Sequence, residues 1–306
     1  TLSSGTLQGT GAVVVNGGTF NYTSGNVNDP LVLGPLTSTN LSGVTVAGNG
    51  TITNQGSLTL NGTTVNPGIN NQGTLTKSST GTTSLAATFT NAGTVNANAG
   101  TLDFGGGYTQ NAGSLVLAGG NVSAPLLTLN GGLLGGVGTV TGNVNNIAGI
   151  VSPGASPGTL NITGNYTQTS SGTLSVEING TTPGTQYDQL IVTGTATLAG
   201  TLNTSFGFIP AVGNTFNIVQ AGATSGTFAN PPPVGVTGTY LPNGFDLTVT
   251  SVITSAAALA PLAPLASLSS DLIVSEERRL AMAAMELGPA APTEEERFEK
   301  ARMCRP

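Results

Sequence analysis

The sequence contains very few ionisable side chains. It has no His and no Trp, a single Cys, and 7 Lys and Arg residues against 13 Asp and Glu residues in 306. The absence of His removes the commonest general base and the commonest metal ligand. Because Cys304 is alone, no disulfide bond can form within the chain.

The few charges are unevenly distributed. Before residue 251 the only basic side chain is Lys77, and the acidic side chains are Asp29, Asp103, Glu177, Asp188 and Asp246. Without a basic stripe to neutralise phosphates, this part of the chain is not expected to bind nucleic acid. Polysaccharide lyases and hydrolases need clustered carboxylates, which a spread of five does not supply. We therefore predict no enzymatic activity and no catalytic, cofactor or metal site, with the carboxylates bonding local backbone.

The sequence also lacks long apolar runs. No stretch of 18 apolar residues is present, and no signal peptide begins at Thr1. Because the chain starts within a repeat, we expect it to be a segment of a longer protein whose secretion signal lies upstream.

What the sequence does contain is a repeated pattern of Asn, any residue, Gly, a hydroxyl residue and an aliphatic residue. It occurs at 54–58, 71–75, 91–95 and 111–115, with its glycines 17, 20 and 20 residues apart. A period near twenty residues, with a turn followed by an alternating strand, is typical of a solenoid. The sequence therefore predicts an all-β fold, a parallel β-helix (solenoid) with a C-terminal β cap and a short helical tail.

Alternation within each repeat separates an inner from an outer column of side chains. Leu58, Leu75, Val95 and Leu115 are predicted to lie inside, in vertical register. The hydroxyl residues one position earlier are predicted to form an outward ladder, which returns later in the chain: Ser57, Thr74, Thr94, Ser114, Thr173 and Thr201. This ladder is either an ordinary polar strand surface, which the irregular neighbouring column favours, or a flat face that orders a ligand such as sugar or ice.

Three further expectations concern the turns. The repeated Asn residues are expected at corners in the left-handed conformation, with their amides bonding between turns. Lys77 occupies an inward position, so we expect its rung to bulge or to end its strand early. The segment 29–37 breaks the rhythm and is expected to be a loop.

Composition divides the chain into four parts. We predict a parallel β-helix at 1–204, a C-terminal β cap at 205–250, an Ala/Leu/Pro-rich linker at 251–270 and a helical tail at 271–306. The cap is indicated by clustered aromatic residues and by a hairpin-like turn at 242–245. The tail is indicated by a capping box formed by Thr293 and Glu296.

Several motifs resemble a known class of secreted proteins. They are S-P-G-x-S-P-G-T-L at 152–160, G-N-Y-T-Q at 164–168, Y-D-Q-L-x-V-x-G at 187–194 and the closing G-T-F at 226–228. Residues 90–250 thus resemble the carboxy-terminal part of bacterial autotransporter passengers and filamentous-haemagglutinin-like exoproteins, which are right-handed parallel β-helices. The resemblance implies an extracellular or cell-surface location and a structural or adhesive role, as a surface rod or fibre subunit.

The partners implied are other copies in a fibre, an outer-membrane secretion partner and surface glycans. Some adhesins of this class keep cysteines at their extreme carboxy terminus for tethering to the outer membrane. Cys304, flanked by Arg302 and Arg305, is therefore a candidate tether or intermolecular disulfide, because nearby cations lower the pKa of a thiol. A buried structural cysteine is the alternative for Cys304. For the whole chain, the alternative function is a carbohydrate-active enzyme or a glycan- or ice-binding β-helix module.

Overall fold

The computed structural model describes residues 1–9 and 11–253. All regular secondary structure in these residues is β-strand, as the predicted all-β class requires. No helix long and apolar enough to span a membrane occurs in this part of the chain. Most of the predicted linker, the whole predicted helical tail and Cys304 lie outside the described residues.

The strands are short and numerous. In chain order they are β1 (Thr6–Leu7), β2 (Val13–Val15), β3 (Gly18–Phe20), β4 (Asn26–Val27), β5 (Leu31–Leu33), β6 (Thr37–Ser42), β7 (Thr45–Val46), β8 (Thr51–Asn54), β9 (Ser57–Asn61), β10 (Thr64–Val65), β11 (Gly68–Asn71), β12 (Thr74–Lys77), β13 (Thr82–Leu85), β14 (Phe89–Asn91), β15 (Thr94–Ala97), β16 (Thr101–Phe104), β17 (Tyr108–Gln110), β18 (Ser114–Ala118), β19 (Asn121–Leu129), β20 (Leu133–Asn146), β21 (Ile150–Pro153), β22 (Thr159–Thr163), β23 (Tyr166–Gln168), β24 (Thr173–Ile178), β25 (Gln189–Leu198), β26 (Thr201–Phe206), β27 (Thr215–Gly226), β28 (Val236–Leu241) and β29 (Gly244–Val249).

The strands stack into three parallel faces. Face 1 begins with β1 and β4 and continues through β7, β10 and β13. Face 2 begins with β2, β5 and β8, and face 3 with β3, β6 and β9. Later strands such as β19 and β25 pass from face 1 to face 2, with register shifts at the corners. The described chain is therefore a parallel β-solenoid, which confirms the predicted all-β, stacked parallel fold.

The inner column on face 3 forms as predicted. Leu58, Leu75, Val95 and Leu115 pair in direct register and are at most 1% exposed. The same column continues downward through buried aliphatic residues, namely Leu134, Val151, Leu174 and Leu202. Because burial contributes about 25 cal/mol per Å² of apolar area, each turn is stable only through the turns stacked on it.

The glycines of the repeat lie where successive turns approach most closely. A Cβ atom at Gly93 would overlap the carbonyl oxygen of Gly73, and that oxygen accepts a hydrogen bond from the N–H of Thr94 at 2.8 Å. Gly73 and Gly113 are placed in the same way over the preceding turn. Glycine is therefore required here mainly by close stacking.

One local prediction is wrong. The segment 29–37 is not a loop, because Leu31–Leu33 forms strand β5 of face 2. Leu31 and Leu33 are each 2% exposed and join the core. The irregular spacing there reflects a turn of different length, not a departure from the stack.

The end of the solenoid changes from parallel to antiparallel pairing. Parallel stacking continues beyond residue 204, because β25 pairs with β27 as far as Leu198 and Gly226. β27 then pairs antiparallel with β29, which pairs antiparallel with β28. Only Pro242 and Asn243 connect β28 to β29, where the sequence predicts a hairpin-like turn. The antiparallel strands thus lie within residues 215–249.

Candidate functional site

The predicted hydroxyl ladder on face 3 is present in two separate stretches. Ser57, Thr74, Thr94 and Ser114 pair in direct register. The next two positions in the same column are Leu133 and Ile150, after which Thr173 and Thr201 restore the hydroxyl groups. Ile150 is 44% exposed, so the column is interrupted by an apolar step at the surface.

A longer polar column lies on face 2, and sequence reasoning missed it. It runs in register without an apolar member through Thr53, Asn70, Thr90, Thr109, Thr128, Asn145, Thr167, Thr197 and Ser225. We call this set the face-2 column. At one strand spacing per turn it is about 38 Å long. The signal in the sequence is a polar residue immediately before the repeated Asn, or before the residue that takes the place of that Asn. The two predicted columns lie after the repeated Gly and therefore leave this position out.

The face-2 column presents hydroxyl and amide groups to solvent. All its members are partly or fully exposed. The Thr90 hydroxyl donates to Asn70 Oδ1 at 3.3 Å and the Ser225 hydroxyl to Thr197 Oγ1 at 3.2 Å. Between these two pairs the column offers donors and acceptors without formal charge.

Directly behind this column lies a buried row of amides. Asn54 Nδ2 donates to Asn71 Oδ1 at 2.7 Å, and Asn71 Nδ2 donates to Asn91 Oδ1 at 2.8 Å. Asn91 Nδ2 continues the row to Gln110 Oε1 at 3.3 Å. These side chains are at most 1% exposed. The predicted bonding between turns is therefore confirmed.

The predicted left-handed conformation of these Asn residues is wrong. Among described residues other than glycine, only Ser156 has a positive φ. The Asn residues end strands of face 2 and point inward. From there Asn71 Nδ2 also reaches the carbonyl oxygen of Thr94 on face 3, at 3.1 Å. The amide row therefore joins two faces at their shared corner.

Buried tyrosines complete the amide network. Tyr108 donates its hydroxyl to Gln110 Oε1 at 2.7 Å, and Tyr166 donates to Gln168 Oε1 at 2.6 Å. Leu129 lies in the same column between Gln110 and Asn146, so the row of buried polar side chains is interrupted at that turn. Burial raises the pKa of both tyrosine hydroxyls above its ordinary value, despite side-chain hydrogen bonds that lower it. Both phenols are therefore protonated donors at neutral pH.

Lys77 is an inward-pointing cation. Its side chain is 0% exposed, and its Nζ donates to the carbonyl oxygen and hydroxyl of Ser79 and, at 3.3 Å, to the carbonyl oxygen of Ala99. Desolvation lowers the pKa of its ammonium group. Strand β12 ends at Lys77 and is one residue shorter than β9, but it has the same length as β15 and pairs with it in register to the last residue, so the rung does not bulge at Lys77. The ammonium satisfies corner carbonyls, while the apolar stem fills the core beside the small Ala97.

Two of the motifs that resemble secreted β-helix proteins, at 152–160 and 187–194, lie beside two carboxylates, those of Asp188 and Glu177. Asp188 is 3% exposed and accepts the N–H of Gly158 at 2.8 Å and that of Glu177 at 2.9 Å. Burial raises its pKa to about 7, and the charge of Glu177 adds to this, while the two backbone bonds oppose it. Glu177 accepts the Ser156 hydroxyl at 2.7 Å and the Asn179 amide at 2.8 Å. Both carboxylates thus fasten loops to strand β24.

The remaining acidic residues of the described chain are dispersed. Asp29 accepts the N–H of Gly9, and Asp246 accepts the amide of Asn217 at 2.6 Å. Asp103 lies on face 1 in register with Ser84 and Ser123. Within the described residues no three His, Cys, Asp or Glu side chains are grouped so as to hold a metal ion.

Comparison with protein families and with curated proteins found no match. The resemblance to autotransporter passengers and haemagglutinin-like exoproteins therefore stays a prediction. What is established is the parallel β-solenoid.

Proposed function

We propose that this chain is an extracellular structural and adhesive protein, a rod or fibre subunit on the surface of a bacterium. The observation that carries the proposal is the unbroken vertical register of the inner column from Leu58 to Leu202. Such stacking builds length turn by turn, since each turn contacts only its neighbours. An elongated body with three regular faces suits a role in projecting or joining surfaces.

The composition of the faces supports the same role. Before residue 251 the chain carries one basic and five acidic side chains, so its faces are almost free of formal charge. Buried amides, together with the Tyr166 hydroxyl that accepts from Asn146 Nδ2 at 3.4 Å, replace ion pairs as the polar links between turns. Neutral hydrogen bonds of this kind do not depend on ionic strength, which suits a protein outside the cell.

Location and shape test this proposal together. Antibodies raised against the chain should label intact cells of the source bacterium, and external protease should remove the label. Electron microscopy of the purified chain should show rods. The proposal would be overturned by two results together: the label appears only after permeabilisation, and mutants that lack the protein attach to surfaces just as strongly as the parent strain does.

A second candidate function is binding of neutral glycans, and the face-2 column favours it. Sugars present hydroxyl groups that both donate and accept hydrogen bonds, and the column offers matching groups over about 38 Å. Its lack of charge suits a neutral polysaccharide better than a phosphate or sulfate polymer. This function is compatible with an adhesive rod, because the column would be the adhesive surface.

Paired lysine variants test glycan binding. Thr109→Lys with Thr128→Lys places long charged side chains in the middle of the face-2 column. Thr74→Lys with Thr94→Lys does the same on face 3 and is the control. Binding to insoluble neutral polysaccharides such as cellulose and chitin should fall at least about tenfold for the first pair only. Equal binding by both pairs would contradict the assignment, and release of reducing ends by the unmodified chain would favour a carbohydrate-active enzyme.

A further inference from the structure

The last described strand of face 3 is β26, and one of its edges could pair with the strand of a further turn. Strand β26 pairs in parallel with β24 on one side, and no described strand pairs with its other side. The N–H of Thr201 donates to the carbonyl oxygen of Gly172 in the preceding turn, at 2.9 Å. Because peptide groups alternate along a strand, the N–H and C=O of Leu202 face the open side. Exposed groups of this kind are a template for another chain.

The side chain of Asn230 occupies these two groups. Its Oδ1 accepts the N–H of Leu202 at 2.8 Å, and its Nδ2 donates to the C=O of Leu202 at 2.8 Å. One planar amide thus supplies the donor and the acceptor that a further parallel strand would supply. Beside it the N–H of Ala229 donates to the carbonyl oxygen of Gly200 at 2.6 Å.

The residues around Asn230 prevent the segment from being a strand that others can extend. Pro231, Pro232 and Pro233 follow directly, and none has an N–H to donate. On the other side, the N–H of Phe228 donates to the Tyr240 hydroxyl at 2.8 Å. The Phe228 ring is 7% exposed and packs against Phe245, with ring centroids 5.2 Å apart. The hairpin of β28 and β29 therefore holds Asn230 in place.

We propose that Asn230 is a terminator of face 3, which occupies the first pair of open backbone groups on β26 and so opposes addition of an edge strand from a second copy of the chain. The proposal does not rest on the adhesive role. It bears on how copies can be arranged, because a fibre that grew by stacking this end of the solenoid would have to displace the amide. Association of copies must then use another surface.

Substitution of Asn230 in the full chain tests the proposal. Asn230→Ala removes both bonds to Leu202, and Asn230→Asp keeps the acceptor while placing a carboxylate oxygen against the C=O of Leu202. Asn203→Ala is the matched control, because Asn203 is an exposed amide of the same strand that donates to Ser175 in the preceding turn, at 3.3 Å. A further variant replaces the three prolines with Thr in the Asn230→Ala background.

Two measurements decide the outcome. The added carboxylate oxygen of Asn230→Asp repels the C=O of Leu202 and so displaces the whole side chain. Hydrogen exchange at the Leu202 amide should therefore be at least about tenfold faster in both Asn230 variants and unchanged in Asn203→Ala. In sedimentation velocity, the fraction of dimers and longer species should rise at least about tenfold for Asn230→Ala and further when the prolines are also replaced. If Asn230→Ala does not fold, Asn230→Asp carries both measurements. Unchanged exchange, or faster exchange without association, would overturn the proposal.

Discussion

The side-chain amide of Asn71 donates to that of Asn91 across 2.8 Å, with both groups inside the solenoid. Asn71 also accepts from Asn54 and reaches the carbonyl oxygen of Thr94 on the neighbouring face. One side chain therefore links three turns and two faces. This relationship explains why the repeat contains Asn at a position where apolar residues alternate inward.

Asn71→Ala should destabilise the chain strongly. It removes the bonds to both neighbouring amides and leaves buried groups unpaired, at a cost of about 2–3 kcal/mol. The thermal midpoint should fall by roughly 4–8 °C. Asn70→Ala, on the outer surface of the same strand, is the control and should change the midpoint by less than about 2 °C. Equal effects of the two substitutions would contradict a structural role for the amide row.

The raised pKa of Asp188 predicts that the folded chain is more stable at acid pH than at neutral pH. This pKa is raised to about 7 in the folded chain by burial, against 3.8 for an ordinary Asp. The folded state therefore binds more protons than the unfolded state between these values, so its contribution to stability falls as pH rises from about 4 to 7. The full loss is up to about 4 kcal/mol.

Denaturation midpoints of the parent chain and of Asp188→Asn at pH 5 and pH 8 measure this effect. The parent should be less stable at pH 8, and the variant, which cannot ionise, should show a smaller difference. Glu177 is the other ionisable group bound at this site, and Glu177→Gln is the control for its charge. A parent chain that is more stable at pH 8 than at pH 5 would contradict the prediction.

Lys77 separates the effect of charge from that of packing. Lys77→Met keeps a long side chain and removes a desolvated ammonium, so stability should stay within about 1 kcal/mol of the parent or rise. Lys77→Ala leaves a cavity and should cost about 2–4 kcal/mol. Chemical denaturation checks both. A loss for Met as large as that for Ala would show that the bonds to the Ser79 and Ala99 carbonyls dominate, because both variants lack the ammonium group.

Gly93→Ala tests close stacking of the turns. The added methyl group would overlap the backbone carbonyl of Gly73, so we expect a loss of at least about 3 kcal/mol or failure to fold. Gly11→Ala is the control, because a Cβ atom there meets no other atom within 4 Å. Its stability should change by less than about 0.5 kcal/mol. A tolerated Gly93→Ala would mean that the turns are farther apart than the structure places them.

The fold follows from the sequence because one local rule repeats. Leu58, Leu75, Val95 and Leu115 are spaced so that a period of two within strands and of about twenty between them leaves only a stacked arrangement. The same rule predicts that Ser57 and Thr74 lie outside in register. It fails at Asn71, because Asn is taken there for a corner residue, whereas a stack of amides satisfies its polar groups inside the core.

The face-2 column and the bonds made by Asp188 and Asn230 depend on contacts between turns of unequal length. Asp188 meets the N–H of Gly158 thirty residues earlier, and Asn230 meets Leu202 twenty-eight residues earlier, distances that match no repeat of the motif. Periodicity by itself determined which aliphatic side chains of the repeat point inward and that the turns stack in parallel. Only the tertiary structure decided which groups meet across the corners and how face 3 ends, because those contacts depend on where each turn changes direction.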